Sequence, residues 1–193
     1  MKKLGAICLF VIAGTTQAGD RLTTVDVYGL QVPGTPAIAK EAGFTDCKDN
    51  YSSYVCKRTK PTVVAGIKAE SADLFFDGSD HFSESNRGSS SRKVSEFPPE
   101  KLTYGGVRLQ FQDRQALKNA LLADGWMEST QGNSTEFYKD GVAANFSIYR
   151  STVSLAPLSL KEATKQVANL KAKQVEKAKA DSSSTSFIDA MKK

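Results

Sequence analysis

Between Tyr104 and Arg150 the apolar period changes twice, which restricts the chain to a mixed fold. In YGGVRLQF, Val107, Leu109 and Phe111 alternate with Arg108 and Gln110, the pattern of a strand with one buried face. In QDRQALKNALLADG, Ala116, Leu117, Ala120 and Leu121 fall on one helical stripe. Asp113 is placed to cap that helix and Gly125 to end it. After Trp126, Val142, Ala144, Phe146 and Ile148 alternate with Ala143, Asn145 and Ser147. Asp140-Gly141 reads as a tight turn, so Glu136–Lys139 and Val142–Ile148 are expected to form a hairpin.

Upstream, Leu22–Leu30 reads as a strand. Pro33-Gly34-Thr35-Pro36 reads as a turn into a short helix, Ala37–Ala42, with Thr35 as cap and Pro36 at its first position. Phe44–Lys48 and Tyr54–Arg58 read as paired strands, and Thr62–Phe76 as a further extended stretch ended by Asp77-Gly78. The order helix, Gly43-Phe44, hairpin and long strand matches helix, Gly125-Trp126, hairpin and long strand. Each copy begins with a strand containing Tyr-Gly, at Tyr28-Gly29 and Tyr104-Gly105. The expected class is therefore α+β: an antiparallel sheet with packed helices, in two similar strand-helix-hairpin modules, plus a C-terminal basic helix. The modules span residues 19–78 and 101–157. Residues 79–100 form a flexible Ser-rich linker, which contains the almost wholly polar Ser83–Ser95 and an edge strand at Val94–Phe97. Residues 158–193 form a Lys-rich helix, over about Leu160–Lys179, and a flexible tail from Asp181. The helix is expected to separate from the body.

Residues 1–18 have the pattern of an export signal. Lys2 and Lys3 precede the apolar Leu4–Ala13, and Thr16-Gln17-Ala18 is a small-residue cleavage site that leaves Gly19 as the mature start. The apolar run is too short for an ordinary membrane span. Cys8 lies too early for lipid attachment. The expected location is the bacterial periplasm. The whole-chain charge of +5 misleads, because Lys2 and Lys3 carry two of the excess charges and the region from Lys161 onward carries four more. The body between them is therefore about −1, and no nucleic-acid partner is expected.

Cys47 and Cys56 are the cysteines left after processing, and an even count in an oxidising compartment implies one structural bridge. The spacing is not that of a Cys-x-x-Cys redox pair. The single histidine, His81, stands near Asp77 and Asp80 but lacks the partners and spacing of a metal loop. Ser90-Ser91-Arg92-Lys93 fits Ser-x-x-Lys, yet lies in a Ser-rich stretch instead of at a buried helix start. Gly105-Gly106 precedes a strand and does not form a phosphate cradle. Trp126 is expected in the core. No catalytic residue, metal or cofactor is assigned.

Two sets of binding residues are expected. Tyr51 and Tyr54, beside Lys57, Arg58 and Lys60 on the bridged hairpin, combine the residue types typical of protein interfaces. Lys165, Lys171, Lys173, Lys177 and Lys179 are candidates for weak contact with an anionic membrane surface. In order of elements, the chain resembles small exported proteins with tandem helix-plus-sheet modules, such as the β-lactamase inhibitor proteins and the outer-membrane assembly lipoprotein BamE. The resemblance implies a non-catalytic binding or inhibitor role toward a periplasmic or envelope protein. The alternatives are an envelope-associated structural protein held by its basic helix, and a small periplasmic hydrolase whose site the sequence does not mark.

Overall fold

The computed structural model describes residues 22–50, 53–78 and 102–191. The segment expected to be an export signal, Tyr51, His81, the Ser90-x-x-Lys93 match and the whole Ser-rich linker, with its expected edge strand at Val94–Phe97, lie outside them. The fold is α+β, and its centre is one large antiparallel sheet. In chain order the elements are β1 (Val25–Val27), β2 (Leu30–Val32), α1 (Pro36–Glu41), β3 (Phe44–Asn50) and β4 (Ser53–Arg58). Next come β5 (Val63–Val64), β6 (Ile67–Lys68), β7 (Ser71–Gly78), β8 (Leu102–Thr103), β9 (Val107–Gln110) and α2 (Arg114–Ala123). The last are β10 (Met127–Gln131), β11 (Ser134–Tyr138), β12 (Ala144–Tyr149), β13 (Thr152–Pro157) and α3 (Leu160–Met191). The strand order is β10-β11-β12-β13-β9-β7-β4-β3, with β8 paired to β7.

The two expected modules are thus halves of a single sheet, joined where β9 pairs with β7 on one side and β13 on the other. They also share one core. Leu74, Phe76, Leu109, Leu117, Leu121, Phe137, Phe146 and Leu155 belong to one buried cluster. α2 has the expected cap: Asp113 Oδ1 accepts from the Ala116 N–H at 2.9 Å. Leu117 and Leu121 are its fully buried residues.

Several boundaries differ from the sequence reading. Leu22–Leu30 is not one strand, because Tyr28-Gly29 turns the chain between β1 and β2 with φ +55° and +73°. Tyrosine rarely takes that conformation. Here Asp26 Oδ1 accepts from the Gly29 N–H at 2.8 Å, and the tyrosine side chain is held in place. Its ring meets Phe146 at 6.1 Å, and its hydroxyl donates to Asp124 at 2.5 Å and accepts from Trp126 Nε1 at 2.9 Å. Lys139 also reaches Asp124 at 2.8 Å, and these two hydrogen bonds hold the Asp124 carboxyl below its ordinary range. Tyr104 is likewise outside a strand. It bridges to Gly34 through two backbone hydrogen bonds of 3.0 Å.

Thr62–Phe76 divides at Ala65-Gly66 into the β5–β6 hairpin and the separate β7. Downstream, Gly132-Asn133 makes a two-residue turn between β10 and β11, with Gln131 opposite Ser134. β11 and β12 pair Tyr138 with Asn145, so residues 139–143 form a five-residue loop in place of a tight Asp140-Gly141 turn. β13 was not anticipated, and it supplies the strand that binds β12 to β9.

α3 also departs from expectation. It runs through Asp181–Ser186 to Met191. That stretch contains no Gly or Pro, and serine costs a nucleated helix only a few tenths of a kcal/mol relative to alanine. Its first turns are not separate from the body. Ser159 Oγ caps the helix by accepting from the Glu162 N–H at 3.1 Å. Ala163, Val167 and Leu170 are buried, the last two against Tyr138, Met127 and Leu158. From Lys171 to Ala180 every residue is exposed.

Candidate functional site

The two faces of the sheet are covered unequally. Residues directly opposite one another on neighbouring strands project to the same side. On one side, Cys47, Cys56, Leu74, Val107, Leu155, Phe146 and Phe137 follow one another across seven strands and face the core. On the other side, α3 lies over Tyr138 and Met127, at the β10–β12 end. Among the described residues α3 packs mainly on β10, β11 and β12, and beyond them Asp46, Lys48, Lys57 and Arg108 leave this side of β3, β4 and β9 open to solvent.

That open half carries an ordered row of polar side chains. Asp46 is opposite Lys57, Lys57 opposite Asp73, Asp73 opposite Arg108, and Arg108 opposite Ser154. The row continues through Ser147 to Glu136. Charge therefore alternates negative, positive, negative, positive before the two serines, at the ~4.8 Å spacing of adjacent strands. Beside the row, Lys48, Asp49, Val55 and Phe75 complete a groove of about 430 Å³. Arg108 stacks its guanidinium on the Phe75 ring, 4.2 Å from the centroid. Lys48 approaches Asp46 at 4.0 Å, a pair that is mostly solvated.

Asp73 differs from the rest of the row. It is 9% exposed, the most buried charged residue on this face. Its Oδ2 accepts from Ser71 Oγ at 3.4 Å, and its Oδ1 is buried without a hydrogen-bond partner among the described residues. Nothing in the sequence marked this position. Asp73 interrupts Ala72, Leu74 and Phe75 in a run that reads as buried strand. Its partners lie 16 residues before it and 35 after it, on strands whose register the sequence does not specify.

The hairpin residues expected to bind together are separated by the strand's alternation. Tyr54 and Arg58 point to the core side with Cys56. Tyr54 packs on Phe76 at 6.0 Å. Arg58 donates to Ala42 O at 2.8 Å and to Thr62 Oγ1 at 3.2 Å, which fixes the end of α1. Lys60 reaches Glu41 O at 3.3 Å. Of the members of this set that lie on β4, only Lys57 faces the open side. Cys47 and Cys56 are bonded as expected, at an S–S distance of 2.00 Å. With Ala39, Phe44, Tyr54 and Phe76 they line a smaller apolar pocket of about 230 Å³ beneath α1. That pocket has few polar groups to fix an orientation, so the charged groove is the better candidate site.

No family model, curated protein or solved structure matches the chain. The reading of the site therefore rests on its geometry. Tyr28, whose hydroxyl joins Asp124 and Trp126, is no base or nucleophile at neutral pH. Burial and the Asp124 hydrogen bond push its pKa up to about 12. Tyr138 is also raised, by burial and by its hydrogen bond to Glu136. Lys165, Lys171, Lys173, Lys177 and Lys179 are all exposed. At 100° per residue they are spread around α3 and do not form one stripe. Lys171 pairs with Asp140 at 2.8 Å and holds that carboxyl low.

Proposed function

We propose that the protein is an exported, non-catalytic binding module that holds a periplasmic or envelope protein against the open half of its sheet. The uncovered charged row supports this reading most strongly. Its side chains are fixed by strand register in a row across five strands, about 20 Å of platform. Such a surface suits an area contact, in which fixed alternating charge sets partner and register. A reaction centre needs convergent groups around one point.

A photo-activatable residue at Ser154, on the β13 end of the platform next to Arg108, tests the proposal. Crosslinking in the native envelope should give a discrete protein adduct from Ser154. It should give none from Leu122, which is exposed on α2 away from this face. Equal adducts from both positions, or none from Ser154, would remove the proposal.

A further inference from the structure

We infer that the groove around Asp73 receives a basic side chain flanked by carboxylates, presented by the protein partner; this rests on the reading of the open face as a binding surface. The fold places Lys57, Asp73 and Arg108 directly opposite one another on three strands. Yet neither cation closes on Asp73: among the described residues no ion pair joins them, and Arg108 is committed to the Phe75 ring. Asp73 is nine-tenths buried, and its Oδ1 is thus an acceptor for which none of the described residues supplies a donor. Buried polar atoms in folded proteins almost always have partners, so an orphan calls for an explanation.

The charge order selects the ligand. A lone cation is attracted by Asp73 and repelled by Lys57 and Arg108, and a lone anion meets the reverse. A ligand with a positive group between two negative ones gains at all three positions. Val55 and Phe75 offer apolar surface for the stem of a long basic side chain. Arg108 keeps the edge of its stacked guanidinium available for a bidentate carboxylate.

The test titrates the peptide acetyl-Glu-Arg-Glu-amide into the isotope-labelled mature chain and follows amide shifts by NMR. Saturable shifts are expected at Lys57, Asp73, Phe75 and Arg108. Acetyl-Glu-norleucine-Glu-amide and acetyl-Arg-Glu-Arg-amide should each bind at least tenfold more weakly. Asp73→Asn should weaken the first peptide at least tenfold, whereas Glu41→Gln on α1 should not. If Asp73→Asn does not keep the native spectrum, Lys57→Gln must give the loss instead. Absence of saturation, equal binding of the norleucine peptide, or indifference to these substitutions overturns the inference. A specific adduct at Ser154 with no peptide binding overturns this inference alone. Peptide binding without an adduct upholds the groove and removes the wider platform.

Discussion

Replacing Phe146 with alanine lowers the stability of the whole chain by about 4 kcal/mol, within the range for deleting a core phenylalanine. Phe146 is fully buried. It lies opposite Phe137 and Leu155 on its two neighbouring strands and meets the edge of Trp126 at 5.0 Å. Tyr28, from the N-terminal hairpin, closes the same cluster. The loss should therefore not stay in the second half. Hydrogen exchange through global opening should accelerate about a thousandfold in the protected amides of both β4 and β12, since each 1.4 kcal/mol is tenfold. Acceleration in β12 with β4 unchanged would mean that the two halves fold as separate units.

The second large effect is at the bridge. Replacing both Cys47 and Cys56 with alanine should lower stability by about 3 kcal/mol. The closed loop is short, and its entropy accounts for about 2–3 kcal/mol; the rest comes from the buried sulfur of Cys56, which is 2% exposed. The bond joins residues directly opposite each other, next to the register shift at Phe44–Asp46. Without it β3 should fray first, because among the described residues β3 is the outermost strand and pairs only with β4. Asp46 leaves the charged row when β3 frays. Chemical denaturation of the double variant measures the effect. A loss below about 1 kcal/mol would show that register alone holds the hairpin.

What the sequence revealed and what it concealed have a common physical cause. Period 2 in Val107–Phe111, period 3.6 in Ala116–Leu121 and the Asp113 cap are local patterns, and each is found where expected. The pairing of Cys47 with Cys56 was expected from two residues and an expected oxidising compartment. The turns at Tyr28-Gly29 and Ala65-Gly66 were hidden because Tyr and Ala seldom adopt positive φ, so apolar runs on either side read as continuous strand. β13 was missed although Thr152, Val153, Ser154 and Leu155 alternate in polarity, because the alternation lasts only four residues before Ala156-Pro157, which reads as the end of the body. The charged groove was the least visible feature. Lys57 reads as part of a basic cluster with Arg58 and Lys60, and strand alternation sends its neighbours to the other face. The row takes Asp46, Lys57, Asp73 and Arg108 from four strands, and only the sheet's register aligns them.

The central claim is that the open half of the sheet is solvent-facing in the isolated protein and covered by a partner in the envelope. Hydroxyl-radical footprinting of the mature chain, alone and in periplasmic extract, tests it most directly. Phe75 should be labelled in the isolated protein and protected in the extract, while Tyr138, buried under α3, stays protected in both. Labelling of Phe75 as low as that of Tyr138 in isolation, or unchanged by the extract, would contradict the account.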